Sequence, residues 1–230
     1  MCSDADRFTE IPFRFEHGEI LVQAVIGGRG PFTLLLDTNT SPSALDLAFA
    51  KSERLALRAV HGAVAGGGAG HPQVYLTKLP MTELGRMRTT GLEAVAIDLS
   101  NVRDRLGVDI KGVLGDNFLS GRVVQINSPK RMIRFYSSSL LTASERSGRL
   151  TFPFKIDDED IVMEGVRVNG RKIPATIDTG SDGTFKLTPS AVESLGLSET
   201  ASKGTPQTSV GYKGTAQNTT GKVNRSGKCY

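Results

Sequence analysis

Two aspartates stand at the ends of apolar runs, and each is followed by a threonine. Asp37 closes the leucines of LLLDTNTS, residues 34–41, and Asp178 sits in TIDTGSDG, residues 176–183. A carboxylate at the end of an apolar strand is costly to bury unless something pairs with it. Two carboxylates held together share a proton, because both cannot ionise cheaply side by side. The ionised one can then take a proton from water while the protonated one donates to a carbonyl oxygen. Taken singly, either aspartate reads equally well as an ordinary residue at a strand-to-turn junction. The chemistry depends on the chain bringing the two together.

An internal repeat supplies the means. IPFRFEHGEILVQAVIGGRGPFTLLLDTNTS, residues 11–41, lies over FPFKIDDEDIVMEGVRVNGRKIPATIDTGSD, residues 152–182, without a gap. Pro12 meets Pro153, Phe13 meets Phe154, Ile20 meets Ile161, Val25 meets Val166, and Asp37-Thr38 meets Asp178-Thr179. Such self-similarity decides architecture. Two copies of one unit, packed face to face about a pseudo-twofold axis, would place Asp37 opposite Asp178.

Each copy opens with a strand, 19–26 or 160–168, turns at a glycine-bearing loop and returns to its aspartate, which is a hairpin pattern. A short helix is expected after each aspartate loop. In the second copy Thr188 suits the cap, Pro189 the first helical position and Gly196 the stop. In the first, residues 44–58 carry Leu45, Ala48, Phe49 and Leu55 near helical spacing. HGAVAGGGAGHPQVYL, residues 61–76, has a centre of small residues around Gly66, Gly67 and Gly68 and so predicts a mobile tip. It lacks the Lys-Ser/Thr of a phosphate-cradling loop, which excludes that kind of nucleotide site. Further strands are expected near 92–99 and 122–136, the last pair turning at NSPK, with GVLGDNFLSG, residues 112–121, between them. The serine-rich residues 137–149 read as a linker.

These features together resemble a bacterial retropepsin-like aspartic protease with two lobes in one polypeptide. The resemblance rests on Asp37-Thr38, on Asp178-Thr179-Gly180-Ser181, and on Val113-Leu114-Gly115, the element that in this family threads beside the aspartate loop. GVLGDNFLSGRVVQINSPKRMIRF, residues 112–135, is similar to the family's closing segment along its whole length. The resemblance implies an all-β acid-protease barrel, internally duplicated, with one short helix per lobe. Residues 1–10 form an N-terminal extension, 11–136 a complete lobe and 150–230 a partial second lobe.

It implies an endopeptidase that hydrolyses peptide or protein substrates with water activated between Asp37 and Asp178, with no metal and no cofactor. Thr38 and Thr179 would tie the two loops together. Thr40 and Ser181 would orient the outer carboxylate oxygens, and Gly180 would allow close backbone approach. The glycines at 66–68 would belong to a flap that closes over substrate. Two departures stand against this pattern. Asn39 occupies the place of the glycine expected after Asp37-Thr38, where its tolerance of left-handed backbone could keep the loop's shape but its bulk would weaken the site. The second lobe also shows no counterpart of Val113-Leu114-Gly115 or of the closing hairpin. Both favour an alternative, a weak or silent peptide-binding module on the same fold. The open strand edges of such a lobe invite self-association, and residues 201–230 are expected to be the least ordered part of the chain.

Composition narrows the remaining classes. Cys2 and Cys229 stand at opposite ends, so there is no disulfide framework or metal cluster. His17, His61 and His71 lack metal-ligand spacing and read as loop residues. Asp109 and Asp116 read as turn or cap residues. The net charge of +4 is concentrated late, at Lys203, Lys213, Lys222, Arg225 and Lys228, with no acidic residue after Glu199. That segment is diluted by Gly, Ser and Thr, so a solvated tail outweighs a nucleic-acid contact. No apolar run reaches the roughly 20 residues of a membrane span. The start lacks the features of a signal peptide, which leaves a cytoplasmic protein or an exported one whose signal has been removed.

Overall fold

The structure, a computed structural model of the 230-residue chain, describes residues 8–60, 72–136, 151–157, 160–181, 185–211 and 213–221. The linker at 137–149 and the flap glycines Gly66, Gly67 and Gly68 lie outside the described residues.

The three leucines before Asp37 run together because their strand is covered on both faces. They end β4 (Arg29–Leu36). Leu34 and Leu36, both 0% exposed, enter one core with Phe13, Ile20, Val22, Leu114, Phe118, Ile133 and Phe135. Leu35 points the other way, into a second core with Ala44, Ile97, Val102, Ile110 and Val113. β4 pairs antiparallel with β3 (Glu19–Ile26) on one side and parallel with β11 (Ile110–Leu114) on the other. β11 is itself wedged against β5 (Ser43–Asp46). Parallel pairing in so short a lobe requires a crossover. The chain makes it through α1 (Leu47–Ser52), β6 (Arg58–Val60), β7 (Val74–Lys78), β8 (Thr82–Leu84), β9 (Met87–Thr89), β10 (Glu93–Ile97) and α2 (Ser100–Leu106). The sheet runs β6-β7-β10-β5-β11-β4-β3-β8-β9, with β2 (Arg14–Glu16) added beside β3. After α3 (Asp116–Leu119), the hairpin of β12 (Val123–Asn127) and β13 (Met132–Tyr136) pairs with β1 (Phe8–Pro12). Lobe 1 therefore takes in residues 8–10, which the sequence left in the N-terminal extension.

Lobe 2 repeats the front half of this plan. β14 (Phe154–Asp157), β15 (Asp160–Val168) and β16 (Arg171–Thr176) form one antiparallel sheet in that order. The base of each hairpin keeps the register of the repeat: Leu21 faces Leu35, and Val162 faces Thr176. The turns do not. Gly27-Gly28 and Asn169-Gly170, all at positive φ, are displaced by one residue relative to the repeat. In lobe 1 the register slips between Ala24 and Ile26, with the extra residue on the return strand. In lobe 2 it slips between Met163 and Val166, with the extra residue on the outgoing strand, where Gly165 takes φ +84°. The two bulges cancel in the count, which is why the sequences align without a gap although the hairpins differ.

The expectation of one helix per lobe is too low. Among the described residues lobe 1 has three, and lobe 2 has α4 (Pro189–Ser194) and α5 (Ser198–Ser202). α4 starts as read, with Thr188 accepting from the Ala191 amide and Pro189 first. In lobe 1 Leu45, expected on the helix, lies in β5 and is fully buried. The helix begins only at Leu47, where Asp46 accepts from the Phe49 amide at 3.0 Å. Asp46, 3% exposed, also accepts from the Leu99 amide and pairs with Arg103, so one buried carboxylate holds the starts of both α1 and α2.

The expectation of a poorly ordered tail fails over its first part. Thr205–Gly211 forms β17 and Gly214–Thr220 forms β18, paired antiparallel from Thr205↔Thr220 to Gly211↔Gly214. Threonine is the commonest residue of the two strands, a type suited to a strand. Residues 222–230 lie outside the described residues.

Candidate active site

The repeat brings Asp37 and Asp178 to one place. The loops that carry them are fastened by a closed set of hydrogen bonds. The Thr38 amide donates to Thr179 Oγ1 at 3.1 Å, and the Thr179 amide donates to Thr38 Oγ1 at 3.2 Å. Each hydroxyl in turn donates to the carbonyl that precedes the opposite aspartate. Thr38 Oγ1 reaches Ile177 O at 2.7 Å, and Thr179 Oγ1 reaches Leu36 O at 2.9 Å. Each hydroxyl thus donates one bond and accepts one bond across the lobe boundary.

The two carboxyls differ in surroundings. Asp37 is 7% exposed. Its Oδ1 accepts from the Asn39 amide at 2.8 Å, and its Oδ2 from Thr40 Oγ1 at 2.6 Å. Asp178 lies on the open side, with its Oδ1 accepting from the Gly180 amide at 2.8 Å. Loss of water where the loops crowd together raises the Asp178 carboxyl from the ordinary 3.8 to about 6. The Asp37 charge and a side-chain hydrogen bond with it act in the same direction. The Gly180 amide and the Lys186 charge oppose the shift without cancelling it. A carboxyl so raised keeps its proton in mildly acidic solution beside a second carboxyl.

Gly180 is required by proximity rather than by dihedral angle. A Cβ at this position would lie 2.3 Å from Asp37 Cγ and 2.3 Å from its Oδ2, and the residue is not at positive φ. Asn39, its counterpart, is not at positive φ either, so the left-handed tolerance of asparagine is not called upon. Its side chain is exposed and joins the cleft wall instead.

A cleft of about 180 Å³ surrounds the pair. Asn39, Thr40, Gly180 and Ser181 line it beside the aspartates. From Asp37 an apolar arm extends over Leu35, Ala44, Val95, Ile97 and Val102 to Arg105, whose guanidinium is paired with the buried Glu19 at 2.5 Å. Ser209, Val210 and Gly211 of β17 form the facing wall, so the hairpin of lobe 2 reaches over the site toward α2 of lobe 1. The sequence reading missed Arg105, Lys186 and this hairpin. The hairpin had a weak signal, two threonine-bearing segments on either side of a turn flanked by Gly211 and Gly214. The two basic residues had none, since only the folded chain brings them to the cleft. Among the described residues no group of acidic, histidine or cysteine side chains could hold a metal ion.

The threonine ring gives a direct expectation. Thr179→Val removes a donor and an acceptor at once and strands the Thr38 amide and the Leu36 carbonyl. It should cost about 1–3 kcal/mol of stability in urea unfolding, whereas Thr179→Ser should stay close to the parent. Equal stability of the valine and serine variants would contradict the role given to the ring.

A family model described as aspartyl protease matches residues 22–118 and 165–226, well over half of the chain and both aspartate loops. Among solved structures, the chain is similar to a retropepsin-like aspartic protease from Rickettsia conorii, with 16% identity and a TM-score of 0.42 over 59% of this chain and 97% of that one. It is also similar to basic 7S globulin from soybean, with 15% identity and a TM-score of 0.30 over 58% of this chain and 43% of that one. No curated protein sequence matches it. With its duplicated all-β lobes and paired Asp-Thr loops, the chain belongs to the aspartyl protease family.

Proposed function

We propose that the chain is an aspartic endopeptidase in which Asp37 and Asp178 together activate one water molecule. The observation that carries this reading is the threonine ring, which holds the two loops at a fixed separation with both carboxyls turned into one cleft. Asp178, with its raised affinity for a proton, is the partner that holds the shared proton and donates it to the peptide carbonyl oxygen. Asp37, with Thr40 and the Asn39 amide fixing its two oxygens, is the carboxylate that takes the proton from the attacking water. The developing oxyanion is met by a donor already in place, which lowers the barrier. Peptides or proteins are the substrates of this reading, and the apolar arm toward Val102 accepts a side chain next to the bond that is cut.

Asn39 supports a second reading, a module that binds peptides and cuts them poorly. By the repeat it occupies the place that Gly180 holds in the other loop, and its exposed side chain adds bulk to the cleft wall beside the pair. Asn39→Gly should then raise turnover with little change in KM, since it acts on carboxylate geometry rather than on substrate binding. An unchanged or lower turnover would remove the case for an impaired site.

Hydrolysis of a casein-like substrate, blocked by a statine-type inhibitor, tests the main reading. Asp37→Asn and Asp178→Asn should each lower kcat/KM by at least about a hundredfold while leaving the circular dichroism spectrum unchanged. Full activity in either variant would overturn the shared site.

The pH dependence follows from the raised carboxyl. The active form needs Asp178 protonated and Asp37 ionised. Because the Asp178 carboxyl is shifted upward, its proton persists beyond the ordinary carboxylate range and leaves as the pH passes about 6. The kcat/KM profile should therefore fall on its alkaline side with a midpoint near 6. A profile flat through pH 8 would contradict the assignment.

A further inference from the structure

The repeat allows each position of lobe 2 to be compared with its counterpart in lobe 1, and one surface fails the comparison. Phe152, Phe154, Ile156 and Ile177 are 61%, 61%, 62% and 38% exposed. Their counterparts are Ile11, Phe13, Phe15 and Leu36. Ile11, Phe13 and Leu36 are buried at 6%, 4% and 0%, and Phe15 packs against the same core. The side chains are as apolar in lobe 2 as in lobe 1, and only the cover differs. An apolar patch of this kind, built by alternate residues of one sheet face, marks an interaction surface.

Lobe 1 shows what such a face takes. β11 runs parallel to β4, with Gly112 opposite Leu34, Val113 opposite Leu35 and Leu114 opposite Leu36. Its last carbonyl, on Leu114, accepts from the Asp37 amide at 3.0 Å and so braces the aspartate loop. Gly112 and Gly115 are dictated by the passage. A Cβ on the first would lie 2.4 Å from Ala44 O, and one on the second 2.1 Å from Thr40 O. Leu114, Phe118, Ile133 and Phe135 then cover the face. In lobe 2 the strand that corresponds to β4 is β16, and it is the edge of its sheet among the described residues.

We infer that the open face and edge of lobe 2 form a docking site for an extended apolar polypeptide segment patterned like Ile110–Gly115 and its hairpin, entering parallel to β16 beside Ala175–Ile177. Recognition is by strand addition. Main-chain hydrogen bonds provide affinity, and the apolar face with its demand for glycine at two points provides specificity. A second copy of this chain is a poorer occupant. Its own β11 is buried between β4 and β5 and is not free to be donated. Antiparallel pairing of two β16 edges meets Arg171, Lys172 and Pro174, the residue types that discourage edge-to-edge contact. None of Phe152, Phe154, Ile156 and Ile177 lines the cleft, so the site goes beyond the peptidase reading and is tested without any activity.

The probe is a fluorescently labelled synthetic peptide of residues 108–136, titrated with the 230-residue protein in fluorescence anisotropy with a statine-type inhibitor present. Saturable binding is expected. Ile177→Asp and Phe154→Asp, both at exposed positions and so compatible with folding, should each weaken it at least tenfold. Leu114→Asp or Gly112→Val within the peptide should do the same. Absence of saturable binding would overturn the proposal, as would binding indifferent to Ile177→Asp. So would sedimentation showing a dimer that Phe154→Asp dissolves while the peptide is not taken up, since a second copy would then own the face.

Discussion

The arrangement depends on two hydroxyls. Thr38 and Thr179 each donate to the strand end of the opposite lobe and accept from the opposite threonine's amide. A hydroxyl offers one donor and two acceptor sites, so the pattern leaves little freedom for the loops to slide. Once the loops are fixed, the carboxyls one residue earlier are fixed too. The raised proton affinity of Asp178 is a consequence, because crowding and a neighbouring charge act only at short range. Gly180 completes the set, since no side chain could stand between it and the Asp37 carboxylate.

The two lobes support this ring unequally. In lobe 1 the aspartate loop stands on a doubly covered strand, with β11 on its flank and Leu114 O holding the Asp37 amide. In lobe 2 the corresponding strand is a sheet edge among the described residues, with an apolar face turned outward. The difference matches the environments of the two carboxyls, one buried among fixed donors and one on the open side of the cleft. Repulsion alone separates the two protonation steps of a close carboxyl pair, and unequal surroundings bias which member keeps the proton.

Much of this was legible in the residues, for reasons that can be stated. The repeat pointed to the partnership of Asp37 and Asp178, because the two Asp-Thr pairs close return strands whose bases keep the same register even where the hairpin tips differ. The strands 19–26 and 160–168 stood out through their apolar content and bounding glycines, and α4 through Thr188 and Pro189. Other features were hidden in physical ways. The one-residue shift of the hairpin tips was masked because the bulges fall on opposite strands and cancel. Leu45 looked helical because a short strand running into a short helix keeps near-helical apolar spacing by accident. Arg105 and Lys186 gave no signal, since cleft residues that arrive from distant elements share no local pattern. The β17–β18 hairpin has almost no apolar content and therefore reads as a polar tail, with only its threonines and the glycines flanking its turn to mark it.

The claim on which the account turns is that the two aspartates, one from each copy of the repeat, form one titrating unit. Carbon-13 NMR of the aspartate carboxyl groups followed across pH tests it most directly, with Asp178 assigned through the Asp178→Asn spectrum. The account predicts a midpoint near 6 for Asp178, falling toward the ordinary carboxylate range when Asp37→Asn removes the neighbouring charge. An Asp178 carboxyl that titrates near 3.8 and ignores the loss of Asp37 would contradict it.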